Sequence, residues 1–303
     1  MRKSVAAAGL RVFALGLLVA GTAACDVTLG APEFSVREEK TFAVTGSAHV
    51  SLKTWDGSIE VRGWDKSEVR IEVEKRGADQ AAVDRIQVKA TQAGNVITVE
   101  IAKPSPLTTG GFRSSPSASL VVSVPLQTTL VARSGDGSIK IKRVTGKVDV
   151  ETGDGSLSLD EISGDIVART GDGTIQGSDL TGRAAVKTGD GGIELSGVWT
   201  GLTVETHDGS VKLVGRKGSR ADEAWEVTTG DGTIALTVPE DFSAELDAHT
   251  GDGRIRVDRL DGKAAAPDAG EDTSRSTVRG KLGAGGKALR LRTGSGRITI
   301  SNQ

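Results

Sequence analysis

Eight aspartates sit in near-copies of one six-residue phrase: Asp56, Asp136, Asp154, Asp172, Asp190, Asp208, Asp231 and Asp252. The copies run from TWDGSI and SGDGSI through TGDGSL and TGDGTI to TGDGRI, and a last one, TGSGRI, carries Ser295 instead. Carboxylates in such a series suit three kinds of chemistry. They can ligate hard cations such as calcium, act in pairs as general acid and base, or close turns by accepting a nearby backbone N–H.

Spacing separates these options. From Asp136 through Asp154, Asp172 and Asp190 to Asp208 the interval is constant, with one carboxylate per copy and no second acidic group at a fixed offset. Glycoside hydrolysis needs two facing carboxyl groups, and calcium-binding nonapeptide repeats need two half-sites in a coil of this length. A cation ladder has one argument for it. Stacked carboxylates about 4.8 Å apart would repel by up to roughly 1 kcal/mol per pair in water, and calcium would offset that. The turn reading accounts for more, because Gly-Asp-Gly supplies cheap positive φ and an Asx bond, here from Asp154 toward Ser156. Thr152, Thr170 and Thr188 would form a hydroxyl ladder beside it. We therefore expect the eight aspartates to be structural corners, with no catalytic residue, metal or cofactor.

The remaining reactive side chains do not converge. The histidines are His49, His207 and His249, and the outward series Glu151, Arg169, Lys187, Glu205 is mixed in sign as a solvated face is. The chain has no Tyr and 3% aromatic residues, so platforms for stacking sugars are scarce. Among the tryptophans, Trp64 fits an inward position, whereas Trp55 and Trp199 fall on outward or turn positions and are the candidate contact residues.

Elements that could position these corners follow from the apolar pattern. Counted from each Asp, apolar residues recur at +3, +5 and +8, then at +12 and +14, as in Leu157, Leu159, Ile162, Ile166 and Ala168. Alternation with period two marks strands with one buried face. Two short strands per copy, broken by Gly146, Gly164 or Gly182, give one coil of a solenoid. A lone coil cannot bury its apolar row, but stacked coils share one core. The predicted fold is all-β, a parallel β-solenoid, right-handed by the crossover rule. The later steps, Asp208 to Asp231, Asp231 to Asp252 and Asp252 to Ser295, are wider, and the last leaves room for a corner that has lost its signature. HVSLKTWDGSIEVRGW (49–64) fits the same template far from the main run. VRIEVEK (69–75), VITVEIA (96–102) and SLVVSVP (119–125) suggest longer hairpins leaning on the stack, and 81–85 a short helical turn.

The start, MRKSVAAAGLRVFALGLLVAGTAAC, has a basic opening, an apolar run too short to span a membrane, and small residues before the one Cys, Cys25. It resembles a bacterial lipobox, although Thr22 stands where Leu is usual. Export with lipidation at Cys25 is therefore expected, the choice of membrane being left open. A lone exposed thiol in an oxidising compartment would otherwise be a liability. The expected organisation is a signal peptide (1–24), an anchor and lead-in (25–47), an N-terminal β region (48–133), and a regular solenoid (134–303). A disordered insertion is placed at 262–277. Losing Arg2, Lys3 and Arg11 leaves acidic residues in mild excess, which argues against nucleic acid as a partner.

The lipobox-like start, the chain of TGDG[ST]I corners and the closing GKLGAGGKALRLRTGSGRITI resemble a bacterial β-strand-repeat family catalogued as "putative adhesins" and long classed as a domain of unknown function. The resemblance covers most of residues 40–300. It implies a parallel β-helical fold, export and an envelope location, and it brings no catalytic residues. The expected function is a non-enzymatic lipoprotein whose faces and loops 104–118 and 262–277 bind a protein or glycan partner. The alternatives are a periplasmic structural or signalling accessory and a carbohydrate-active β-helix enzyme.

Overall fold

The computed structural model describes residues 34–103, 116–258 and 276–303. The expected signal peptide, Cys25 and most of both contact loops lie outside the described residues. Chain order runs β1 (Phe34–Ala43), β2 (Ala48–Lys53), β3 (Ile59–Trp64), β4 (Glu68–Gly77), α1 (Gln80–Asp84), β5 (Val88–Ala93), β6 (Val96–Ile101) and β7 (Ser117–Pro125). The middle contains β8 (Thr128–Arg133), β9 (Ile139–Thr145), β10 (Val148–Thr152), β11 (Leu157–Thr170), β12 (Ile175–Lys187), β13 (Ile193–Thr206) and β14 (Val211–Gly215). The last part contains β15 (Trp225–Thr229), β16 (Ile234–Val238), β17 (Ala244–Asp252), β18 (Ile255–Val257), β19 (Thr277–Leu282), β20 (Ala288–Ser295) and β21 (Ile298–Asn302).

These strands build a two-faced β-solenoid. On face A the parallel register carries Val50 to Leu130, Val148, Ile166, Ala184, Leu202, Trp225, Leu289 and Leu246. On face B it carries Ile59 to Ile139, Leu157, Ile175, Ile193, Val211, Ile234, Ile298 and Ile255. Aligned residues inside the regular run lie one repeat apart, because one coil holds one copy of the repeat. Burial follows the template: Leu157, Leu159, Ile162, Ile166 and Ala168 are all 2% exposed or less. Apolar columns from the two faces meet to form one continuous core, which is where the stability of stacked coils resides.

The second corner of each coil is made differently from expectation. In β11, β12 and β13 the strand continues through it, over 13 or 14 residues. Left-handed backbone at Arg143, Glu161 and Asp179 bends the chain, and Gly146, Gly164 and Gly182 follow three residues later at φ of 136°, 137° and 121°. A positive φ is uncommon for residues with a Cβ and costs Gly little.

Three expectations are corrected by the pairing. VITVEIA and SLVVSVP are not hairpins beside the stack, because β6 and β7 pair in parallel with β2 and β3 as a further coil. The coil holding Asp56 is remote only in sequence; it lies between that coil and the β8–β9 coil. The wide step from Asp252 to Ser295 hides no lost corner among the described residues. Instead β20 and β21 insert between the β15–β16 coil and the β17–β18 coil, so that Ser295 pairs with Asp252. Both terminal segments are thus tucked one level inside the stack. Antiparallel strands then cover the outermost coils: β5 on β6, β4 on β7 with β1 beyond it on β4, and β19 on β17. The helical turn appears as α1, capped by the Asp79 carboxylate accepting the Ala82 N–H.

Trp199 is the clearest local departure. Between Gly177↔Leu195 and Leu180↔Gly197 the pairing of β12 with β13 slips, and it slips back between Gly182 and Arg183. Over that stretch the in–out parity inverts. Val198, placed inward by the template, is half-buried, while Trp199 is fully buried. The indole takes the space left by Gly197, where an added Cβ would lie 3.0 Å from Trp199 Cζ2.

Inward positions should be costly to truncate. Ile166→Ala removes a fully enclosed side chain from a column that cannot collapse, with an expected loss of about 2–4 kcal/mol in denaturant unfolding. Val167→Thr, one residue away on the outer face, should change stability by no more than about 0.5 kcal/mol. Equal losses at the two positions would be incompatible with this register.

Candidate functional site

The phrase Thr-Gly-Asp-Gly forms the edge where face A turns into face B. Its first residue is buried in coil after coil: Thr54, Ser134, Thr152, Thr170, Thr188, Thr206, Thr229, Thr250 and Thr293. From Ser134 onward the hydroxyl donates to a glycine carbonyl of the neighbouring coil, and Thr54 donates to the Ala118 carbonyl. Thr152 reaches Gly137 at 2.8 Å, Thr170 reaches Gly155 at 2.8 Å, and Thr188 reaches Gly173 at 2.9 Å. The hydroxyls therefore form a ladder through carbonyls and not through one another. Thr293 bonds to Gly232 and Thr250 to Gly296, which repeats the inserted order of the last coils.

Close approach, not positive φ, is what demands glycine here. A Cβ on Gly155 would lie 2.4 Å from the Gly137 oxygen, and one on Gly173 would lie 2.1 Å from that of Gly155. Gly153, Gly171 and Gly189 donate their N–H groups to the glycine carbonyls one coil below. None of these has a left-handed φ.

All eight aspartates occupy this edge with exposed side chains, in the stacked order Asp56, Asp136, Asp154, Asp172, Asp190, Asp208, Asp231, Ser295, Asp252. The Asx bond expected from Asp154 is not among the hydrogen bonds of the described residues. Where a side chain closes the corner, it is the hydroxyl: Ser134 Oγ accepts the Gly137 N–H at 3.1 Å, and Thr206 Oγ1 accepts that of Gly209 at 3.2 Å. The carboxylates lean over the next coil, with Asp136 Oδ1 3.0 Å from where a Cβ of Gly153 would stand. Among the described residues no group of three or more Asp, Glu, His or Cys is arranged to hold a metal ion.

The aromatic candidates are redistributed. Trp55 is half-buried at its corner and packs against the core. Trp199 is removed as a contact residue, because the slipped register points it inward. Trp64, expected in the core, is half-buried at the surface; its indole N–H donates to the Glu68 carbonyl at 2.8 Å. Lys66 Nζ lies 4.7 Å and Arg70 Cζ 5.0 Å from the ring centre, so cations cover its face. The signal for this was in WDKSEVR (64–70), where basic residues follow the Trp at +2 and +6 across one turn. The histidines stay apart: His207 is exposed beside Asp208, and His249 Nδ1 meets Thr277 Oγ1 at 2.8 Å.

Along the outer faces, charges one coil apart pair off. Lys187 meets Glu205 at 2.7 Å, Lys212 meets Glu194 at 2.7 Å, and Arg133 meets Glu151 at 3.2 Å. Lys142 and Ser178 hold the Asp160 carboxyl below its ordinary range, Arg292 and Arg279 do so for Asp247, and Arg76 and Arg37 for Glu74. Face B also carries a shallow open depression of about 300 Å³ above Gly177, lined by Ser158, Gln176, Ser178, Glu194 and Ser196.

Changing Asp154, Asp172 and Asp190 together to Asn removes like charges one strand spacing apart while keeping polar corners. Thermal stability should stay level or rise slightly, and calcium should raise the melting temperature of neither protein; a calcium-dependent rise in the wild type alone would assign the column to cations. Acid should act on the outer faces of the coils and on the covering strand β4. Asp160, Asp247 and Glu74 have folded pKa values lowered relative to the unfolded chain. Their stabilisation is present above the unfolded carboxylate pKa and is lost as pH falls through the folded one. Denaturant midpoints should therefore be flat near neutrality and fall below about pH 4.

Comparison with known proteins sets this geometry beside others. The chain resembles, at 14% identity and a TM-score of 0.50, a "putative lipid binding protein" from Parabacteroides distasonis, covering 87% of this chain and 96% of that one. A "putative adhesin" from Bacteroides fragilis is 12% identical with a TM-score of 0.44, covering 88% and 97%. One from Parabacteroides merdae is 10% identical with a TM-score of 0.45, covering 87% and 95%. No curated protein matches the chain. The family model described as Toastrack DUF4097 matches residues 48–301, the span from the first inward residues of β2 into β21. By that match, over nearly all of the described solenoid, the chain belongs to the Toastrack DUF4097 family.

Proposed function

We propose that the protein is a non-enzymatic, exported recognition scaffold, held to a membrane of the bacterial cell envelope by a lipid on Cys25, which binds a protein or glycan partner. The observation that carries this reading is the closure of the interior. Apolar columns from Val50 to Ile300 fill it, and many charged groups on the outer faces are paired with neighbours one coil away. Among the described residues, this leaves a pair of stiff faces and the row of exposed carboxylates between them to meet a partner. A rigid surface binds with little ordering cost. The names given to the solved neighbours, adhesin and lipid-binding protein, are compatible with surface recognition.

The anchor is tested by Cys25→Ala, which should move the protein from the membrane to the soluble fraction, with its leader uncleaved or miscleaved. Unchanged membrane association would remove the lipoprotein. The recognition role is tested by immobilising purified protein and measuring binding to envelope glycans and to intact cells. Replacing Asp154, Asp172 and Asp190 by Lys should reduce that binding while leaving the melting temperature within a few degrees. Cleavage of any of those glycans by the purified protein would sink the non-enzymatic reading.

A further inference from the structure

We propose that the depression on face B above Gly177 is a binding subsite for an uncharged saccharide unit. This rests on the recognition role proposed above and gives that role a place and a ligand class. Floor and walls come from one unbroken stretch, since residues 116–258 are all described.

The solenoid is periodic, and its period breaks three times around this spot. In the inward column that contains Leu159, Leu195 and Leu213, Gly177 stands between Leu159 and Leu195 with no side chain. Leu180 fills the vacated interior, because a Cβ on Gly177 would lie 2.6 Å from Leu180 Cδ1. The strand then bulges, so that Ser178 and Asp179 together stand opposite Ser196. Two coils on, the chain lengthens. The step from Asp208 to Asp231 is 23 residues against 18 from Asp190 to Asp208, with a loop between Gly215 and Trp225. Arg216 of that loop reaches back over the bulge, where it pairs with Asp179 and comes within 3.5 Å of Ser196 Oγ. Stacking thus brings the bare glycine, the bulge and the insertion to one place. Bulges re-aim side chains and are over-represented beside active sites. Departures from an otherwise consistent pattern concentrate at functional positions.

The groups free to bond there are neutral. Ser158 is half-buried and Gln176 exposed, and neither side chain has a hydrogen-bond partner among the described residues. Ser178 Oγ donates to Asp160 at 2.6 Å and keeps its capacity to accept. Each carboxylate of the rim already has its cation: Asp160 has Lys142, Asp179 has Arg216 and Glu194 has Lys212. A charged ligand would have to break one of these pairs to be matched. Sugar hydroxyls donate and accept at once, so serine hydroxyls and a carboxamide match them without that cost. Leu159, Leu195 and Val214 supply apolar contact for the C–H side of a ring. An apolar base with a few polar groups is the usual make-up of a ligand site, and about 300 Å³ lies at the small end of the range. No aromatic residue is in the lining, so a single unit is held weakly.

The test is saturation-transfer NMR on the full-length chain in a detergent without a sugar head group. The probes are maltotriose, mannotriose and chitotriose as neutral trisaccharides, and trigalacturonate as an anionic one. Transfer to at least one neutral probe is expected, with little to trigalacturonate. Ser158→Trp fills the depression and should abolish the signal. Gln176→Ala, which adds no bulk, should weaken binding about threefold to tenfold while melting with the wild type. Thr203→Trp, on the outer side of face A, should leave the signal unchanged. Transfer to none of the neutral probes, preference for trigalacturonate, or a signal indifferent to Ser158→Trp and Gln176→Ala would overturn the subsite. Binding to intact cells separates this from the wider reading. Cell binding with silent trisaccharides would remove the subsite and leave the recognition scaffold, whereas trisaccharide binding without cell binding would do the reverse.

Discussion

Backbone contact between glycines at the Thr-Gly-Asp-Gly edge is the constraint on which the rest of this solenoid depends. Coils can stack only as closely as their corners permit, and here the carbonyl of one glycine lies where the next would carry a Cβ. A side chain at the second glycine would force the coils apart at that edge, whereas the first position accepts one, as Trp55 and His207 show. The parallel ladders on both faces would lose their register with it, since they share each coil. The buried threonine secures the same contact by satisfying the glycine carbonyl that the close approach hides from water. Corner and core are thus one device: the corner sets the spacing and the apolar columns supply the free energy.

The same device explains why the aspartate differs in importance from its neighbours. Its side chain is exposed at each copy, and Ser295 takes its place between Asp231 and Asp252 without altering the pairing of the strands on either side. What every copy of the edge keeps is the second glycine and the hydroxyl; the first glycine gives way to Trp55 and His207. The carboxylate is carried outward on that frame, repeated once per coil. Among the described residues the interior is filled by apolar side chains and many charges on the faces are paired.

The ends show how a solenoid stops. Each terminal segment is inserted one level in, between coils formed elsewhere in the chain, so the inserted coil is held by a ladder on either side. Hairpin strands then turn the outermost coils antiparallel. At the N-terminal end this is completed by α1 and by charge on β1. At the C-terminal end, among the described residues, β19 covers β17 on face A.

Much of this was legible in the chain itself. A fixed period with alternating apolar residues determines strands, coils and a shared core, because only stacking can bury such a row. The row of hydroxyls beside the corner was legible for the same reason. Positions whose surroundings come from distant segments were not. Trp199 obeys the template by count and disobeys it in space, since a slip in pairing with β12 reverses its facing. Trp64 matches an inward position, yet its ring lies against Lys66 and Arg70 at the surface. The stacking order of the end coils was equally hidden, because period and alternation describe each coil and do not say which coil lies beside it. Local pattern determined what each segment becomes; only the tertiary structure decided its neighbours, and the neighbours decide burial.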